Sequence, residues 1–209
     1  MSTTLTVIGS GNVGSAVAAL AAKAGTQVQV LGRNQENAAA LGAQVSGTAG
    51  AVGDAITGDI VVLAVPVTAF DELAATYGEQ LNGKIVVDVT NPVDFATFDS
   101  LTVPADSSAA AELQAKLPGA KVLKAFNTLF AGVLASGQVG GDVPATVLVA
   151  GDDEAAKAAL IELVTAGGVT GVDAGSLKRA REMEAVGFLQ MTLAAREITG
   201  WTGGFALRK

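Results

Sequence analysis

The stretch Gly9-Ser10-Gly11-Asn12-Val13-Gly14 fits the spacing G-x-G-x-x-G. In that spacing the first glycine permits a tight turn, the second lets a pyrophosphate approach the backbone, and the third lets a helix pack closely on a strand. Such a hexapeptide is weak on its own in a chain with 26 Gly. Its surroundings strengthen it. The β-branched run "LTVI" precedes it, and Val13, Val17 and Leu20 follow at helical spacing until Gly25 stops the pattern. A helix N-terminus beside the turn is a seat for an anion. The expected ligand is a dinucleotide, cradled at its pyrophosphate by Gly9 to Gly14.

The second apolar run, "TQVQVLG", ends on Gly32-Arg33-Asn34. A turn selective for NAD places an Asp or Glu near this point to grip the ribose hydroxyls. No acid occurs from Val28 to Gln35. A carboxylate there would repel a 2′-phosphate, whereas the Arg33 guanidinium can pair with one in a bidentate, charge-assisted way. NADP(H) is the expected cofactor, with Arg33 and Asn34 on its 2′-phosphate. The alternative is an arginine solvated in a surface turn.

Three later turns close strand-like runs: Ala64-Val65-Pro66, Thr90-Asn91-Pro92 and Ala125-Phe126-Asn127-Thr128. Ligands of open α/β sheets bind outside such edges, so Val65, Pro66, Asn91, Pro92, Phe126, Asn127 and Thr128 are expected to hold ribose and nicotinamide. Turn chemistry alone also explains Pro and Asn there, and Thr128 doubles as a candidate cap for a helix through "LFAGVL". Acid–base machinery is scarcer. The chain has no Cys and no His, which removes Ser-His-Asp and Cys-His arrangements and the commonest zinc ligands. Tyr77 has no Lys four residues later. No catalytic side chain and no metal site are expected. The acceptor should therefore need no proton in the transition state, and catalysis should rest on proximity and orientation of two rings.

These turns need a sheet to carry them. The runs "LTVIG", "TQVQVLG", "DIVVLAV", "KIVVDV", "AKVLKAF" and "ATVLVAG" are apolar nearly throughout, with "GVTGVDA" (Gly168 to Ala174) a further candidate. Strands of that kind expect cover on both faces, which indicates an α/β fold with a doubly wound, mainly parallel sheet. Gln44 to Gly58 is read as a short strand and a poorly defined helix. Ser176 to Thr199 is the longest helical pattern, with Ser176 as its N-cap and an apolar second half, Val186 to Ala195, that should be buried, either as a core or dimer helix or with Phe188, Leu189 or Met191 lining a cofactor pocket. The 209 residues suit one domain, with 1–145 as the dinucleotide-binding core and 146–209 as an extension completing the site. A net charge of −7 with no basic run argues against nucleic acid. The uncharged first 22 residues lack a leading Lys or Arg and are broken by glycines, so a cytoplasmic protein with no membrane partner is expected.

Taken together, "VIGSGNVGSAVA", the Gly-Arg after the second strand, "DVTNPV", "KAFNT", "VAGDDEAAKAALIELV" and "DAGSLKRAREMEAVGFL" resemble the NADPH-dependent deazaflavin (coenzyme F₄₂₀) reductase family, in the same order and over nearly the whole chain. The resemblance implies a Rossmann-type fold, a homodimer, and hydride transfer between NADP(H) and a deazaflavin or flavin-like small-molecule acceptor. The family's Ser-Arg maps to Gly32-Arg33, keeping the arginine, and Asn37 stands where a second basic residue often follows. The other readings are an NADPH-dependent imine reductase and a non-catalytic NADP(H)-binding regulator.

Overall fold

The computed structural model describes residues 3–207. Its first half alternates strand and helix: β1 (Thr4–Ile8), α1 (Asn12–Lys23), β2 (Gln27–Gly32), α2 (Gln35–Gln44), β3 (Thr48–Ala51), β4 (Ile60–Leu63), α3 (Phe70–Tyr77), β5 (Ile85–Asp88), α4 (Ala109–Lys116) and β6 (Lys121–Ala125). Then come α5 (Ala131–Ser136), the two-residue strands β7 (Gln138–Val139) and β8 (Val143–Pro144), β9 (Thr146–Gly151), α6 (Glu154–Ala166), β10 (Thr170–Gly175) and α7 (Ala180–Ala195). Eight strands form one sheet in the order β10-β9-β6-β5-β4-β1-β2-β3. The six from β3 to β6 in that order are mutually parallel. Strand β9 pairs antiparallel with β6, and β10 parallel with β9.

The apolar runs are explained by this arrangement. Successive residues of one strand feed opposite sides: Ile60 and Val62 join a core with α1, α2, α5 and α6, while Val61 and Leu63 join a second core with α3 and α4. Because a strand's side chains alternate, a strand covered on both faces has no position at which a polar residue is free of cost. Burial of each such Val, Leu or Ile side chain contributes about 1.5–3 kcal/mol. Helix α1 ends where Gly25 takes φ +76°, a left-handed conformation that glycine adopts without strain.

Four local expectations are corrected. The stretch Gln44 to Gly58 holds β3, but its helix lies earlier, as α2, capped by the Asn34 side chain. Thr128 caps nothing, since α5 begins at Ala131 with Phe130 as its N-cap and no side-chain cap bond. Ser176 leads only a one-turn 3₁₀ segment, Leu177–Arg179, again without a side-chain cap bond, and α7 starts at Ala180. The second half of α7 is not buried as a block. Its buried stripe is Ala180, Met183, Glu184, Gly187, Gln190 and Ala194, whereas Val186 and Leu189 are 39% and 51% exposed. Helical geometry allows only one stripe to face the sheet, and here polar residues and a glycine occupy part of it.

Candidate functional site

Strand β1 lies between β2 and β4, so the chain leaves it toward β3 on one side and returns to β4 on the other. Such a reversal opens a crevice beyond the C-terminal strand ends. Both the glycine turn after β1 and Val65-Pro66 after β4 stand there. Gly9 has φ +114°, and a Cβ on it would lie 2.2 Å from the Ala64 carbonyl oxygen. One on Gly14 would lie 2.1 Å from the Gly9 oxygen. One on Gly11 would meet nothing within 4 Å. The first and third glycines thus serve protein packing, and the second borders open space. Gly11 is also the N-cap of α1 and has no side chain with which to cap the helix's first N–H groups.

Three adjoining cavities follow this edge. The first, about 340 Å³, is bordered by Ser10, Gly11, Gly32, Arg33 and Asn34 on one side and Val65, Pro66 and Glu72 on the other. Arg33 is exposed and makes no ion pair among the described residues. The Asn34 oxygen is engaged, accepting from the Asn37 N–H at 3.0 Å, which leaves its amide hydrogens to point elsewhere. Gly32 is tight against α2, where a Cβ would approach the Ala38 methyl to 3.1 Å.

The second cavity, about 480 Å³, continues past Asn12, Val13, Gly14, Val65 and Pro66 to Thr90, Asn91 and Pro92. The third, about 470 Å³, shares Asn12, Val13, Val89, Asn91 and Phe95 with the second and extends to Phe126, Asn127, Phe130, Met191 and Trp201. Asn91 and Asn127 are clamped together. The Asn127 amide donates to Asn91 Oδ1 and to the Met183 carbonyl, each at 2.9 Å, and Asn91 donates to the Asn127 carbonyl at 2.9 Å. Asn127 Oδ1 and Thr90 Oγ1 are buried with no partner among the described residues. Phe126, fully buried, takes φ +66°, a conformation that costs a non-glycine residue on the order of 1–3 kcal/mol. Thr128 lies behind the wall, its carbonyl accepting from the Gln190 amide at 3.3 Å. The remaining predicted residues of the turns all line one of the three cavities, as does Met191 but not Phe188 or Leu189.

Several wall residues carry no sequence signal. Phe95, 71% exposed, projects from a loop after β5 that is pinned by Asp94, whose carboxylate accepts from Thr97 Oγ1 and the Ala96 N–H. Those bonds, the Thr97 one first, hold Asp94 below the usual carboxylate range. Trp201 comes from the C-terminal tail and packs on Phe130 with ring centroids 4.9 Å apart. Tyr77 is buried and accepts from the Gly53 N–H, far from a catalytic role. A fourth cavity of about 360 Å³, behind α1 near Lys23 and Ser136, touches none of these turns.

Comparison with known proteins bears on this cleft. Residues 4–92 match the family described as NADP oxidoreductase, coenzyme F₄₂₀-dependent. The F₄₂₀-dependent NADP reductase of Methanothermobacter thermautotrophicus is 30% identical over 204 residues, covering 90% of this chain and 87% of that protein. The chain belongs to the F₄₂₀-dependent NADP reductase family. The reductase of that name from Methanocaldococcus jannaschii is 35% identical over 133 residues, an alignment covering 62% of this chain and 59% of the relative. A crystal structure of a candidate F₄₂₀-dependent NADP reductase from Arthrobacter sp. FB24 superposes with a TM-score of 0.84 at 28% identity, covering 99% of this chain and 100% of that one. The family match of 4–92 includes the glycine turn, Arg33, Val65-Pro66 and Asn91-Pro92. Phe126 to Thr128, α7 and Trp201 lie beyond it, so in this reductase-family chain the third cavity is built largely from residues that the shorter match does not reach.

Proposed function

We propose that the protein transfers hydride between NADP(H) and a deazaflavin of the coenzyme F₄₂₀ type, or a flavin-like relative. One observation carries the reading. Two compartments large enough for a ring system, about 480 and 470 Å³, share a wall, and among the described residues no titratable side chain lines either of them. A ketone acceptor would need a proton donor there, whereas a deazaflavin spreads the charge it gains over its own ring.

The residues present fit the cofactor. The first-turn N–H groups of α1, with the clearance at Gly11, would take the pyrophosphate, and Arg33 with the Asn34 amide would take the 2′-phosphate. An unpaired buried polar atom costs about 1–3 kcal/mol. Asn127 Oδ1 and Thr90 Oγ1 are such atoms among the described residues, on residues that border the third and second cavities. When bound, the nicotinamide supplies the hydride and the deazaflavin accepts it at a ring carbon. The chain's own contribution is orientation: the Asn91–Asn127 clamp fixes the shared wall, while Val13, Val89, Phe130 and Trp201 exclude water from the face-to-face region.

Residues 1–145 would hold the dinucleotide, and 146–209 would complete the acceptor compartment through Met191 and Trp201. We place the protein in the cytoplasm as a homodimer acting on a small molecule without nucleic acid. Among the described residues no helix is long and apolar enough to cross a membrane.

Mixing protein, NADPH and the oxidised 8-hydroxy-5-deazaflavin should bleach the deazaflavin's visible absorbance with no added metal. Unchanged absorbance throughout the pH range in which NADPH still raises the unfolding temperature would overturn the reading.

A further inference from the structure

Behind the shared wall lies a charged cluster with no access to solvent. Lys124 on β6, Asp88 on β5 and Glu184 on α7 have side chains that are 0% exposed. The Lys124 ammonium donates to Asp88 Oδ2 at 2.8 Å and to the Thr90 carbonyl at 2.6 Å, and pairs with Glu184 Oε1 at 2.8 Å. Its three hydrogens are therefore all used. The second Asp88 oxygen accepts from the Thr90 N–H at 2.8 Å. Glu184 accepts from the Ala109 N–H at 3.0 Å and the Ala110 N–H at 3.4 Å, at the start of α4.

Replacing a buried ion network by apolar side chains of similar shape is often neutral or stabilising, so stability alone is a weak account of this one. Its geometry gives a better one. Thr90 borders the second cavity after β5, and α7 supports the third, bringing Met191 to it and receiving the Asn127 amide at Met183. The same helix approaches so closely at Gly187 that a Cβ there would lie 2.4 Å from Asn91 Oδ1. A single ammonium thus ties both peptide groups of Thr90, directly and through Asp88, to the helix that backs the cleft.

We propose that Lys124 is a positioning residue for hydride transfer, holding the Thr90-Asn91 turn and α7 at a fixed spacing so that donor and acceptor rings meet in register. Burial pushes the Glu184 carboxyl above its usual range, with Lys124 pulling against it.

The inference rests on the cleft being the hydride-transfer site, and the test separates the two. Lys124→Met leaves two carboxylates facing each other and can unfold the chain, so the working variant is Asp88→Asn/Lys124→Met/Glu184→Gln, which keeps the shapes and removes the charges. Two readouts are needed. The fluorescence lifetime of bound NADPH reports how tightly the nicotinamide is held, without any acceptor. Single-turnover bleaching of the deazaflavin reports transfer. The folded triple variant should bind NADPH with unchanged affinity but show a shortened lifetime and a transfer rate lower by roughly tenfold to hundredfold, the sensitivity expected of an ångström-scale misplacement. A lowered unfolding temperature with wild-type lifetime and rate would reduce the network to a structural brace and overturn the proposal. If the wild type itself fails to bleach the deazaflavin, the acceptor reading falls and the lifetime alone decides the role of Lys124. A triple variant that cannot fold moves the same two measurements to Glu184→Gln, where an unchanged lifetime again overturns it.

Discussion

Gly9 and Gly14 are glycines for a different reason from Gly11. The first two would drive a Cβ into the Ala64 and Gly9 carbonyl oxygens, so a substitution there is an error of folding. At Gly11 nothing in the protein objects, which is the condition for a ligand to use the space. Arg33 is a similar case of a residue without internal duty: exposed, unpaired among the described residues, and on the border of the first cavity. Losing a charge-assisted hydrogen bond costs about 1.5–3 kcal/mol, so Arg33→Ala should weaken NADPH by roughly tenfold to hundredfold and leave NADH nearly unchanged. Titration calorimetry with both cofactors checks this, and equal weakening would remove Arg33 from the 2′-phosphate.

At the scale of the element, α7 is the unusual member. Its buried stripe spends two positions on Glu184 and Gln190 and one on Gly187, each contacting a turn of the cleft or a neighbouring element. The groups facing Glu184 are Lys124 from β6, Asp88 from β5 and the first N–H groups of α4, and burial raises its carboxyl above the ordinary glutamate value. The sign of the linkage follows. A group that binds its proton more tightly in the folded chain contributes stability that is full below the unfolded pKa and is lost as pH rises through the folded one. Glu184→Gln cannot titrate. The stability of the wild type relative to this variant, measured by urea unfolding, should therefore fall as pH rises from below the ordinary glutamate value through the raised one, and then level off. A difference that does not change with pH would show that Glu184 titrates normally.

For the molecule as a whole, the unexplained surface is apolar. Val186 and Leu189 on α7 and Ile198, Trp201, Phe205 and Leu207 in the tail are all at least a third exposed. Exposed apolar side chains that lie together commonly mark an association surface. A homodimer with α7 and the tail on its shared face would shelter these side chains and, through Trp201, border the third cavity. Leu189→Glu should then convert a dimer to a monomer in sedimentation velocity, because a carboxylate would be desolvated at the interface. A wild-type monomer, or a variant that stays dimeric, would exclude the face.

The glycine turn and the sheet that carries it were legible because their physics is local. A turn that must approach a phosphate needs Gly9, Gly11 and Gly14 at set intervals, and strands covered on both faces need unbroken apolar runs such as "DIVVLAV", so each constraint is written within a few neighbouring residues. The order of strands brought the turns after β1, β4, β5 and β6 to one edge, as doubly wound sheets do. The acceptor half was legible only in part: Phe126, Asn127 and, on the last helix, Met191 were expected at a pocket and border the third cavity, whereas Phe95 and Trp201 come from a loop and a tail separated by about half the chain, and no spacing rule connects them. An apolar run from Val186 onward reads as core, yet which stripe of a helix is buried depends on what it packs against, and α7 turns Gly187 and Glu184 inward because Asn91 and Lys124 stand there. Local backbone geometry is a property of neighbouring residues and the sequence determines it; contact between distant side chains exists only once the chain has folded, and there the tertiary structure decided.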